Sequence, residues 1–211
     1  MRQLSPALVA WRHLLKAAAT TCCFCMSGAV LAGEQEYAPL SNSVRAALTH
    51  RVSDQRPALS SFANSDQEAS WLLAKSRLLK KKIEDSKYRD DLLRTIHYEA
   101  TRAGLEPELV LGLIEVESNF SKYAISRAGA RGYMQVMPFW LKLIGRPQDN
   151  LFDLRTNLRY GCTILRHYLD VEHGNLFRAL GRYNGSLGYI SYPNKVKSAW
   201  TRWAWPNKPG K

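Results

Sequence analysis

An all-α fold is what the sequence predicts, on three grounds. Apolar residues recur at intervals of three and four through most of the chain beyond residue 65, the period of an amphipathic helix. Helix punctuation brackets these runs, with Asp85, Asp153 and Asn175 at their starts and Gly104, Gly145 and Gly185 at their ends. No stretch alternates apolar and polar residues as a half-buried strand would.

The elements follow in order. Residues 1–32 open with Arg2, Arg12 and Lys16, run uncharged from Ala17 to Ala32 and end in Val30-Leu31-Ala32 before Gly33. They read as a secretory signal peptide, whose apolar part is shorter than the ~20 residues of a spanning helix; an uncleaved anchor is the alternative. Residues 33–84 read as a linker or helical extension. Its first half, to about Asn64, is rich in Ser, Ala, Asn and Pro with little periodicity, while Asp66 to Ile83 places Leu72, Lys75, Leu79 and Ile83 on one line. The run Lys80-Lys81-Lys82 interrupts it, either as a solvated face or as a contact for an anion. Residues 85–205 form the compact domain, with 206–211 as a tail. Within it, a helix capped at Asp85 or Ser86 carries Tyr88, Leu92, Leu93, Ile96 and Ala100, and a second runs from Pro107 to Phe120. A glycine-rich connection then leads to a short helix ending near Gly145. Asp153 caps a helix lined by Leu154, Leu158, Cys162, Leu165 and Leu169, Asn175 starts another that ends at Gly185, and Val196 to Trp203 close the set.

Charge and cysteine usage narrow the partners. The formal charge is +12, and removal of the leader takes three bases with it. Such an excess suits an anionic partner: nucleic acid, a phospholipid surface or an acidic envelope polymer. Export disfavours nucleic acid. No zinc-finger spacing, phosphate-binding glycine loop or dinucleotide fingerprint occurs, and the five histidines form no ligand pair at helical spacing. Neither a metal nor a cofactor is expected. Cys22, Cys23 and Cys25 fall in the leader without a lipid-attachment pattern, so Cys162 is left as a small hydrophobe on a helical stripe. With no disulfide framework, stability must come from the packed core.

One acid stands out. The stripe Leu109, Val110, Leu113, Ile114, continued by one turn, arrives at Glu117, whereas Glu115 lies about 200° around the same helix. Burial would raise the pKa of Glu117 from about 4.3 toward the ~6–7 range of a general acid. A helix-end glutamate bonded to a backbone amide or an arginine is the competing reading. Ser118, Asn119, Gln135, Tyr183, Asn184 and Tyr192 stand where turns meet helix ends and could converge on it.

The order of segments resembles a known family. Glu117-Ser118-Asn119-Phe120, then Ala128-Gly129-Ala130-Arg131-Gly132-Tyr133-Met134-Gln135-Val136-Met137-Pro138, then Asp153 with Asn157 and Gly161, then Tyr183-Asn184-Gly185, then Tyr192 with Lys195-Val196, are similar to the catalytic domain of the soluble lytic murein transglycosylases. That resemblance implies a goose-lysozyme-like helical domain cleaving the β-1,4 bond between N-acetylmuramic acid and N-acetylglucosamine of peptidoglycan. It implies Glu117 as the single acid/base and 1,6-anhydromuramic acid ends as products. Ser118 and Gln135 would bond sugar or peptide groups, Met134 would line the cleft, Tyr183 would orient Glu117, and Asn184 and Tyr192 would help hold the glycan. Ser121, Tyr133, Arg182 and Ser186 depart from the family pattern, and Tyr133 and Arg182 would reshape the cleft. The implied setting is the periplasm, with glycan strands as partner, no stable membrane span after leader cleavage, and the extension free to dock on an envelope-complex protein. A water-using muramidase on the same fold, with Asp153 as a second carboxylate, and a non-catalytic wall-binding assembly factor are the alternatives.

Overall fold

The computed structural model describes residues 35–53 and 61–205; the leader expected at 1–32 and the tail at 206–211 lie outside them. Among the described residues there are eight helices: α1 (Asn42–Ser53), α2 (Ser65–Leu79), α3 (Ser86–Arg102), α4 (Pro107–Ser118), α5 (Phe139–Ile144), α6 (Leu154–Val171), α7 (Leu176–Asn184) and α8 (Ser191–Arg202). Only isolated β-bridges accompany them, joining Ile125 to Arg131 and Arg131 to Val136. The all-α class read from the sequence is the class found.

Local chemistry explains the boundaries. Asp85, Asp153 and Asn175 cap α3, α6 and α7, their side chains accepting from the amides of Tyr88, Thr156 and Arg178; each satisfies a donor the helix leaves unpaired. Asp153 is thereby accounted for as a cap. The α4 helix stops at Ser118, two residues short of expectation, because Asn119 and Phe120 turn left-handed at φ 49° and 64°. In contrast, α8 starts at Ser191, well before Val196. Tyr192-Pro193 reads as a stop, yet a proline in the first turn costs no helical hydrogen bond.

The extension is more ordered than its composition suggests. Inside the stretch expected to lack periodicity lies α1, which rests Leu48 and Val52 against the α5 and α6 side of the domain. Two buried residues one turn apart are too little pattern to stand out from an otherwise polar run. Next, α2 buries Trp71, Leu72 and Leu79 against α3. Lys75 shares that face at 1 % exposure, its Nζ donating to the Trp203 carbonyl at 2.5 Å and standing 3.5 Å from Glu108, which also accepts from Trp71 Nε1 at 2.7 Å. Burial pulls the Lys75 pKa down, with Glu108 opposing.

At the centre stands α4, buried without interruption from Pro107 to Ile114. Around it, Leu92, Leu93, Ile96, Leu158, Ile164, Leu165, Leu180 and Val196 are sealed from solvent. Each such side chain contributes roughly 1.5–3 kcal/mol. Buried Glu99 ties α3 to α6 through Arg159 at 2.8 Å and Arg155 at 3.4 Å. Gly112 decides how close α8 comes to α4. A Cβ there would stand 2.6 Å from the Trp200 amide nitrogen and 2.8 Å from its Cα, so only glycine admits this approach. The two helices run antiparallel from that contact, and Tyr192 at the start of α8 is carried to Glu117 at the end of α4.

Candidate active site

Glu117 is the focus of the site. Its residue is 7 % exposed, and Tyr192, itself 1 % exposed, donates its hydroxyl hydrogen to Oε1. The other oxygen, Oε2, is buried and has no protein partner. Burial pushes the Glu117 pKa up to about 8, the Tyr192 bond pulling the other way. The acid is therefore mostly protonated at neutral pH. Because Oε1 is already accepting from Tyr192, the proton belongs on Oε2, the oxygen left free to donate. Glu115, its neighbour on the helix, faces elsewhere and binds Arg202 at 3.0 Å and Trp203 Nε1 at 2.6 Å. The sequence-based distinction between the two acids is the one the structure draws.

A tightly clamped loop follows α4. Arg131 and Val136 exchange both backbone hydrogen bonds at 3.0 Å, and Gly132 N donates to the Ala124 carbonyl at 2.9 Å. Side chains then fasten the backbone from below. Asn157, 1 % exposed, accepts from Met134 N and donates to the carbonyls of Arg131 and Leu151, each at 2.8 Å. Ser118 Oγ donates to the Tyr133 carbonyl at 2.8 Å, and the Tyr183 hydroxyl donates to the Met134 carbonyl at 2.7 Å. Burial raises the Tyr183 pKa well above its usual value, and the charge of Glu117 adds to that. Neither phenol ionises in the working range.

The structure places the other residues named in the sequence as follows. Tyr192, not Tyr183, holds Glu117, while Tyr183 is committed to the loop. Met134 is fully buried, with its sulfur 3.9 Å from Cys162 Sγ and the space beside Gly161 taken by its side chain. It lies wholly in the core. Gln135 adopts a left-handed φ of 47° and spends both side-chain hydrogens on Gly132 and Ala124 carbonyls at 2.9 and 3.1 Å. That use stabilises a strained turn. Asn184 is 3 % exposed with an unpartnered Nδ2, and Ser186 Oγ is likewise buried and unpartnered. Of the departures noted in sequence, Tyr133 is buried with its hydroxyl 2.6 Å from that of Tyr88, and Arg182 pairs with Glu172 beside Arg178.

Sequence reasoning gave no site role to Asn157, Gly112 or Gln35. Asn157 stands in the segment order that carries the resemblance, but only the fold reveals its three bonds to the loop. Gly112 sits mid-helix in an apolar run, where a glycine costs about 1 kcal/mol against alanine; that cost was the available signal of a close approach. A groove lined by Val116, Ser191, Asn194, Lys195, Ser198 and Arg202 follows α8 on the side where Arg202 binds Glu115, with both ionisable groups basic.

Fold and site together define an all-helical domain with a buried carboxylic acid, Glu117, whose pKa burial raises. The family model of the transglycosylase SLT domain matches residues 94–205, and the chain belongs to that family. A transglycosylase of Enterobacteria phage PRD1 is 34 % identical over 104 residues, which cover 49 % of this chain and 38 % of the phage protein. The membrane-bound lytic murein transglycosylase C of Histophilus somni (strain 2336) is 37 % identical over 114 residues, 46 % of this chain and 31 % of that protein. Its namesake in Actinobacillus pleuropneumoniae serotype 5b is 59 % identical over 39 residues, 18 % of this chain and 11 % of that protein. The chain thus spans well under half the length of these relatives. Among the described residues, no helix is long and apolar enough to cross a membrane.

Proposed function

We propose that the protein is a peptidoglycan lytic transglycosylase working in the periplasm, with Glu117 as its only acid/base. The observation that carries this reading is the Oε2 atom of Glu117: buried, without a protein partner, and on a carboxyl whose pKa is pushed up to about 8. Such a group is a proton donor waiting for an acceptor. The acceptor would be the bridging oxygen between N-acetylmuramic acid and N-acetylglucosamine. As that oxygen takes the Oε2 proton, the C1–O bond breaks, and the substrate's own 2-acetamido carbonyl stabilises C1. The carboxylate, steadied by the Tyr192 hydroxyl, then removes the proton of the 6-hydroxyl as that oxygen closes on C1. Glu117 ends protonated, and the product carries a 1,6-anhydro ring with no water consumed.

Ordinary glycosidases use two carboxylates at a defined separation. Here Glu115 is held by Arg202 and Trp203, and Asp153 caps α6. Substrate assistance fits a single acid. The relatives named as lytic murein transglycosylases support the same substrate, and the excess of basic over acidic residues favours an acidic wall polymer. Mass analysis of products from purified sacculi tests the reading: anhydro ends are expected, and Glu117→Gln should abolish them. Fresh reducing ends, heavier by one water, would reassign the chain as a hydrolase, and unchanged lysis by Glu117→Gln would overturn the role of the acid.

A further inference from the structure

The backbone edge opposite the Arg131–Val136 bridge is occupied by the chain's own N-terminal segment. Since Val136 uses both its backbone groups toward Arg131, the neighbouring Gln135 carbonyl and Met137 N–H point to the other side. There the Gln35 side chain meets both. Its Nε2 donates to the Gln135 carbonyl at 3.4 Å and its Oε1 accepts from Met137 N at 3.3 Å. Tyr183, whose hydroxyl holds the adjoining Met134 carbonyl, lies in the field of Glu117, so this edge belongs to the acid's surroundings.

One acceptor and one donor, two residues apart on an extended edge, form a socket for an amide. Every N-acetylated hexosamine presents such an amide on C2, one N–H and one C=O on a short stem. Gln35 offers the same pair. We propose that the Gln35 carboxamide is an internal stand-in for the glycan's acetamido group, and that N-acetylated sugar enters this subsite by displacing it. The inference rests on reading the cleft as a peptidoglycan site.

The contact is built to yield. Both bonds sit beyond the usual 2.7–3.2 Å range. Gln35 is 4 % exposed, whereas residues 36–39 that follow it are all exposed. The segment's other holds are Tyr37, edge-on to Phe139 at 5.7 Å but itself 62 % exposed, and Leu40, half-buried against the core just before α1. One buried polar side chain at the head of a four-residue exposed run is a plug that a better ligand can replace.

The test separates this competition from catalysis. Calorimetric titration with the tetramer of N-acetylglucosamine is run on the full chain carrying Glu117→Gln, with and without Gln35→Ala. Relief of competition should tighten the sugar by about fivefold, the equivalent of ~1 kcal/mol for two long hydrogen bonds. Gln35→Glu, which keeps the stem and cannot donate to the Gln135 carbonyl, should tighten it likewise. A purely structural role predicts the opposite sign, weaker binding in a loosened loop. Equal or weaker affinity in both variants, or no binding by any of the proteins, overturns the proposal. Because binding is read without turnover, failure of wild-type chain to release anhydro products would sink the enzymatic reading while leaving the Gln35 result legible.

Discussion

Tyr192→Phe isolates how Glu117 keeps its proton. In the native protein Tyr192 donates to Oε1, a bond that favours the carboxylate and opposes the effect of burial. Without the hydroxyl, both carboxyl oxygens are buried and lack a protein donor, since Oε2 already has none. A hydrogen bond to a charged group contributes about 1.5–3 kcal/mol, and 1.36 kcal/mol corresponds to one pKa unit. The Glu117 pKa should accordingly climb from about 8 by roughly one to two units. Two signals report it. In the initial rate of clearing of purified sacculi, the basic limb should move upward by that amount. The plateau should meanwhile fall about tenfold to hundredfold, because the carboxylate left after proton donation loses its stabilising donor. The carboxyl carbon of Glu117, followed by NMR, should titrate at the same shifted midpoint. A limb and midpoint that stay in place, or move down, refute the argument that Tyr192 and burial act in opposition.

Two other perturbations follow from the same geometry. The Glu117 pKa is about 8 when folded against 4.5 in the reference state, so its contribution is complete below about 4.5 and is lost as pH rises toward 8. Linkage makes this a loss of about 3 kcal/mol between pH 4 and pH 7. In Glu117→Gln that part of the slope disappears, and urea titrations at both pH values should show a variant that gains on the native protein as pH rises; parallel slopes would contradict the burial argument. Gly112→Ala puts a methyl 2.6 Å from the Trp200 amide nitrogen, which forces α8 outward. A cost of about 1–3 kcal/mol is expected from such overpacking, together with slower lysis, since Tyr192 moves with α8. Full stability with full activity would show that the helices yield elsewhere.

The periodic helices were legible because their apolar stripes and polar caps agree, as at Asp85, Asp153 and Asn175. The acid was legible for a related reason: Glu117 falls on the stripe and Glu115 does not, and a phase difference survives into three dimensions. What the sequence could not convey is which partner each polar group takes. Tyr183 and Tyr192 look alike as helix-end tyrosines, yet one holds a loop carbonyl and the other the acid. That choice is made by the α4–α8 approach at Gly112, a contact between residues far apart in the chain. Gln35 was invisible for the same reason, being bonded to residues a hundred positions away.

The Lys75 cluster bears on where this protein can be cut. Trp71 and Lys75 of α2 both reach Glu108 at the start of α4, and Lys75 also holds the Trp203 carbonyl beyond α8. The family match begins at residue 94, inside α3. A fragment trimmed to that border would strand a carboxylate in a dry interior and bare the apolar seats of Trp71, Leu72 and Leu79. A piece meant to fold alone should therefore reach back through residue 65, since α2 is packed into the same core as the matched domain.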